Sequence, residues 1–354
     1  MMKYLKQFVW FLFFPLFVTC NQDPIFFLVS KEVEPKEPTI NGSPSKIARG
    51  SDGVSLYVAN GKLWYFNGSG WSNISSPSSV YDVAFAGSEL YVLQVEENSS
   101  TVYKHKDSSA VGNPTGYDRI QSIFGSSSGL FAAARKSGTE EYAILQLGGS
   151  SWDAKKTGNA AFELRGVAGS LFATATAGIF SGLTSVRPLE GTENIAVIAL
   201  FTDSKIGSSV IAVTSSHGLL DINGSTVTRH NKGVSLSGAI CVWEKTGAAN
   251  PLLLVGINGG VNNYGYRELR IISGKVNFGD FYEPGDLSPD SSVFDKDKYK
   301  SQLEKYVIRS IAQPRGVNAS GSSKMPVVFA STQKNGLWSY RADGDNAEGV
   351  WNAE

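Results

Sequence analysis

The sequence predicts an all-β fold, a seven-bladed β-propeller with eight blades as the alternative count. Three observations carry that prediction. Ser55–Trp71 (SLYVANGKLWYFNGSGW) and Val327–Trp351 (VVFASTQKNGLWSYRADGDNAEGVW) repeat one order about 270 residues apart: apolar strand, polar turn with Gly, aromatic strand, Gly-rich turn. Relatives of the apolar strand begin at Leu56, Leu90, Leu130, Leu171, Val210, Leu252 and Val327, with spacings of 34, 40, 41, 39, 42 and 75 residues. The chain of 354 residues holds 38 Gly, is only 18% charged, and has few long apolar runs of helical period, which is the profile of short strands joined by tight turns.

A period near 40 built from three or four short strands is the signature of propeller blades. Each blade is a small twisted sheet that buries its two faces only against its neighbours. A second strand follows each apolar strand, at Leu63–Phe66, Val102-Tyr103, Tyr142–Leu145, Gly178–Phe180, Gly218–Leu220, Leu269–Ile272 and Gly336–Trp338. An earlier strand precedes it at Val80–Gly87, Ile120–Gly125, Leu164–Gly169 and Ile195–Leu200. Closing the ring makes the first and last copies neighbours, with the tail Gly349–Trp351 or the segment near Ile47 as the expected clasp. The 75-residue gap is read as an insertion, Asn277–Lys305, off one blade. Within it Ser291–Tyr306 carries Val293, Tyr299, Leu303 and Tyr306 at the spacing of a short amphipathic helix.

Residues 1–19 read as a signal peptide. Lys3 and Lys6 precede the apolar run Phe8–Val18, whose 11 residues are too few to span a bilayer. The run ends at Leu16-Phe17-Val18-Thr19-Cys20, which resembles a relaxed bacterial lipobox of the spirochaete type, with Phe17 and Thr19 departing from the usual pattern. That resemblance implies lipidation (palmitate-type) at Cys20 and an address in the cell envelope, anchored in the inner or outer membrane and facing periplasm or exterior. Residues 20–45 then form a tether, Pro- and charge-rich in its second half, and residues 46–354 the propeller. With Cys20 lipidated, Cys241 stands alone and makes no intramolecular disulfide. Its strand, Ala239–Trp243, is apolar, so a buried inert thiol is expected.

No WD dipeptide stands at the blade ends, no paired-Gly kelch signature or sialidase-type box is present, and no named repeat family matches closely. Asn335-Gly336-Leu337-Trp338, His217-Gly218-Leu219-Leu220 and Ala177-Gly178-Ile179-Phe180 resemble the G-L-W turn of periplasmic propellers in sensor kinases. The whole chain looks like a propeller lipoprotein of spirochaete type.

Chemistry is sparse along the chain. His105, His217 and His230 have no metal-ligand spacing. The formal net charge is zero, which argues against a nucleic-acid partner. Neither a catalytic set nor a metal or cofactor motif is read, and Gly256–Gly260 opens no helix and so is a turn. Aromatics in polar surroundings remain as candidate partner-binding residues: Phe278, Phe281, Tyr282 and Phe294 in the insertion, with Tyr264 and Tyr266 in a Gly/Asn loop. The expected function is a lipid-anchored extracytoplasmic scaffold for a protein partner. A carbohydrate-binding or adhesive surface lipoprotein is one alternative. A hydrolase or lyase with a site at the central channel is the other.

Overall fold

Each copy of the repeat folds into a meander, because its strands are short, consecutive and joined by turns that permit only antiparallel neighbours. The computed structural model describes residues 39–75, 77–97, 99–230, 233–244, 250–259, 265–282, 303–315, 327–342 and 349–354. They form seven sheets, six of four strands and one of three, with strands in chain order within every sheet. The inner strands are Ala48–Arg49, Val80–Ala86, Tyr117–Ser126, Leu164–Ala168, Val197–Phe201, Leu236–Trp243 and Ile308–Ala312, numbered here as blades 1 to 7. The second strands are Leu56–Asn60, Glu89–Val95, Gly129–Lys136, Leu171–Thr174, Val210–Thr214, Leu252–Ile257 and Val328–Thr332, each within one residue of its position in the sequence repeat. Seven blades are therefore present.

The core lies between blades and not inside any one. Seven apolar clusters alternate with the seven sheets. Leu63, Val83 and Val92 join blades 1 and 2; Phe131, Ile144 and Phe172 join blades 3 and 4. Trp243, Tyr266, Tyr340 and Trp351 fill the wedge between blades 6 and 7. Phe66 and Phe329, with ring centroids 4.7 Å apart, pack blade 1 against blade 7 and close the circle.

The closure differs from expectation. Gly349–Ala353 is the outer strand of blade 7, whose other strands come directly before it, and Ala48–Arg49 is the inner strand of blade 1. The clasp is Ile40–Gly42. Leu337 N–H donates to the Ile40 carbonyl at 2.9 Å, Gly336 N–H to Gly42 at 2.8 Å, and Ile40 N–H to Glu354 at 2.9 Å. Ile40 is 1% exposed, so burial of its side chain draws the end of the expected tether into the fold.

The insertion also begins later than the sequence implied. Lys275–Tyr282 is the fourth strand of blade 6, paired to Tyr266–Ile272, so Asn277 to Tyr282 belong to the sheet. The rest of the insertion up to residue 302 lies outside the described residues, and with it most of the expected helix. Its far end is anchored, with Leu303 buried and Tyr306 against Trp338 at 5.6 Å. Blade 4 has three strands, and beyond its last strand Ile179–Ser181 the chain bonds back at Ile179, whose carbonyl accepts from Leu189 N–H at 2.7 Å and whose N–H donates to Thr192 Oγ1 at 3.0 Å.

The three G-L-W-like turns share one device. Thr174, Thr214 and Thr332, all fully buried, each direct backbone N–H and Oγ1 at the carbonyl of Gly178, Gly218 or Gly336. The Gly residues hold φ of +107°, +71° and +77°, which other residues resist.

Candidate functional site at the channel mouth

A register slip recurs where the inner strands begin. In blade 2, Val80 pairs with Gln94 but Asp82 with Leu93, leaving Tyr81 out of the ladder. The same one-residue slip releases Arg165 in blade 4, Ile198 in blade 5 and Arg309 in blade 7. In blade 3, Ile120 pairs with Ala134 and Ser122 with Ala133, which releases Gln121. In blade 1, Ser45 N–H donates to the Ala59 carbonyl while Ala48 pairs with Tyr57, placing the slip at Lys46. Blade 6 spreads a larger slip over Ser237–Ala239. A β-bulge leaves one residue unpaired and re-aims its side chain. Here it does so in six of the seven blades at one end of the ring.

Lys46, Tyr81, Gln121, Arg165, Ile198 and Arg309 line a single cavity of about 700 Å³ at the channel mouth, together with Asp82, Arg119 and Glu163. Behind it a chamber of about 340 Å³ continues down the channel past Arg49, Ile198, Leu200, Ser237, Gly238 and Cys241. The inner strands approach closely there. A Cβ on Gly166 would lie 2.8 Å from Leu200 N, and one on Gly125 would lie 1.6 Å from the Phe85 carbonyl oxygen. Glycine lets adjacent inner strands meet.

The charges at the mouth divide into used and unused. Lys46 Nζ lies 2.7 Å from Asp82 Oδ2, bonds to the Ile123 carbonyl, and sits 4.4 Å from the centre of the Phe124 ring. Asp82 is nearly buried and also accepts from Val83 N–H at 2.9 Å and Ile123 N–H at 3.1 Å. That pair staples blades 1, 2 and 3. Arg165 meets Glu163 at 2.7 Å on the exposed rim. Arg119 and Arg309, both exposed, have no carboxylate partner among the described residues. Four cations and two carboxylates thus share the mouth of a chain whose net charge is zero.

At the far end Asp203 is held by Arg49 at 3.5 Å and by Arg315 through both carboxylate oxygens. Its side chain is 1% exposed, and it also caps a short turn by accepting from Lys205 N–H at 2.9 Å. Cys241 faces the chamber but is buried, and burial pushes its thiol up to about 12. It stays protonated at neutral pH and is no nucleophile, as its apolar strand implied.

The aromatic candidates scatter. Tyr266 is a strand residue 1% exposed, packed against Trp351 in the core, and so is no exposed anchor. Phe278, Phe281 and Tyr282 are half-buried in the outer strand of blade 6, with Phe278 stacked on His230 at 3.8 Å and Tyr282 under Arg270 at 5.4 Å. That edge lies away from the mouth, which takes no residue from blade 6. Phe294, Tyr264 and Cys20 lie outside the described residues. The mouth residues escaped the sequence reading because they announce themselves by register, not by type. In blades 2, 4 and 7 a buried apolar residue is followed by an exposed one near the start of the inner strand, as in Val80-Tyr81, Leu164-Arg165 and Ile308-Arg309.

No protein-family description matches the chain. No curated protein matches it either. The fold does match solved structures. The extracellular domain of a protein named as a one component system of B. thetaiotaomicron aligns with TM-score 0.51 and 12% identity, over 90% of this chain and 46% of that one. A chain of the mitotic checkpoint complex aligns with TM-score 0.55 and 12% identity, over 88% and 92%. This chain spans about half the length of the first neighbour. Identity at that level shows a common fold and no more. No helix among the described residues is long and apolar enough to cross a membrane.

Proposed function

We propose that this propeller is a lipid-anchored extracytoplasmic scaffold that binds a protein partner through its channel mouth. The observation that carries the reading is the ring of bulges. It commits one side chain from each of six blades to a single mouth, and those side chains include Tyr81, Arg165 and Arg309, of residue types that dominate binding energy at protein interfaces. Tyr81 is 57% exposed, which is unusual for so large a side chain on an inner strand. Seven inter-blade cores hold these positions rigidly, so little ordering entropy opposes binding. The lipobox-like LFVTC run supports the membrane address, and the likeness to an extracellular domain agrees with it.

The test is cross-linked capture from native membranes with the full lipidated chain. One stoichiometric partner, lost when Tyr81→Ala and Arg309→Gln are combined, is the expected result. Capture of no partner by the unmodified protein would overturn the scaffold. In the same experiment Cys20→Ala is expected to release the protein from the membrane fraction, and retention there would remove the lipid anchor from the proposal.

A further inference from the structure

We infer that the mouth receives an acidic peptide segment, gripped by Arg119, Arg165 and Arg309. The inference rests on the scaffold reading and gives its partner a chemistry. These guanidiniums come from blades 3, 4 and 7 and line one cavity of about 700 Å³. Lys46 is not among the grips, since Asp82, the Ile123 carbonyl and the Phe124 ring already occupy its ammonium. Arg119 and Arg309 have no carboxylate partner among the described residues. Arg165 holds Glu163 at a half-exposed site, where an incoming carboxylate can take its place.

A surplus of guanidinium is complementary to carboxylate, because the planar fork offers two parallel N–H donors to its two oxygens. Of the four cations lining the chamber behind the mouth, Lys46 is paired to Asp82, Arg49 to Asp203 and Arg165 to Glu163, which leaves Arg309 as its unpaired charge among the described residues. Arginines on three blades ask for several carboxylates carried on one chain. The volume of about 700 Å³, with Tyr81 exposed among the lining residues, leaves room for a peptide segment entering from solvent.

The probe is a dye-labelled hexaglutamate peptide titrated into the full chain at low and high salt, with citrate and hexalysine in parallel. The wild-type protein is expected to bind hexaglutamate in a salt-sensitive manner and to ignore hexalysine. Arg119→Gln/Arg165→Gln/Arg309→Gln is expected to bind at least about tenfold more weakly, given the strength of hydrogen bonds between charged groups. Lys62→Gln/Lys106→Gln/Arg187→Gln removes equal charge from other exposed positions and is expected to bind as wild type. Arg309→Gln alone breaks no ion pair and carries the test should the triple variant not fold. Absence of hexaglutamate binding, or equal loss in both triple variants, overturns the inference. Citrate binding as tight as the peptide overturns the peptide assignment in favour of a free polycarboxylate. Membrane capture separates the two readings. A partner retained by the arginine variant leaves the scaffold standing without this mouth. Peptide binding with no partner captured leaves the mouth chemistry without the scaffold.

Discussion

At the far end of the channel a carboxylate is buried and two arginines close on it. At the mouth the carboxylates are used up and arginines remain over. Asp203, with 1% of its side chain exposed, binds Arg49 and Arg315, and the three side chains draw blades 1, 5 and 7 together. Asp82 satisfies Lys46, Glu163 satisfies Arg165, and Arg119 and Arg309 are left facing the opening. The difference teaches that charge in a propeller channel serves two purposes. Matched and buried, it locks blades. Unmatched and exposed, it is available to something from outside.

That contrast is broken most directly at Asp203. Asp203→Ala leaves two guanidiniums, each about 30% exposed, without their counter-ion and removes a turn cap. It is expected to cost about 3 kcal/mol, the low end for breaking a buried ion pair, because water still reaches the arginines. Urea unfolding of both proteins measures it. A loss below about 1 kcal/mol would mean the triad does not lock the ring, and the two ends would no longer differ in kind.

Asp82→Ala is the matching test at the mouth. It removes the acceptor for Val83 N–H, Ile123 N–H and the Lys46 ammonium together. Lys46 keeps its carbonyl and ring contacts and is a third exposed, so the expected cost is smaller, about 2 kcal/mol. If Asp82→Ala costs more than Asp203→Ala, the mouth is the more tightly locked end and the contrast runs the other way.

The blades were legible in the sequence and the mouth was not, for a physical reason. The apolar strands at Leu56 to Val327 are the second strands of every blade, fully packed between neighbours, so their hydrophobicity is forced. Burial writes a strong signal into residue type. A bulge is a matter of register and tolerates almost any side chain, as the set Lys46, Tyr81, Gln121, Arg165, Ile198 and Arg309 demonstrates. Its distance from the next strand also varies with hairpin length. Arg309 precedes Val328 by 19 residues, whereas Arg165 precedes Leu171 by six. No fixed spacing marks the site. The net charge of zero concealed it further, because a local surplus is invisible in a sum over the chain. Among the aromatic candidates, Tyr266 is the one for which local polarity did not mean exposure. Tyr266 follows a Gly/Asn loop, yet the side chain turns in against Trp351.

The smallest expected effect is the sharpest. Arg165→Gln gives up an ion pair whose partners are 46% and 20% exposed, and should cost about 0.5 kcal/mol. Arg309→Gln gives up none. It also relieves repulsion from Arg49, Arg165 and Lys46, which line the same chamber, so stability is expected to stay level or rise by a few tenths of a kcal/mol. The gain should appear at low salt and fade as salt screens the remaining charges. Paired melting curves of wild type and Arg309→Gln at two ionic strengths decide it. A loss above about 1 kcal/mol is outside what an exposed, unpaired side chain gives, and would make Arg309 part of the lock. A neutral or stabilising result means the folded ring carries this cation at no benefit to itself, as expected of a residue kept for an incoming carboxylate.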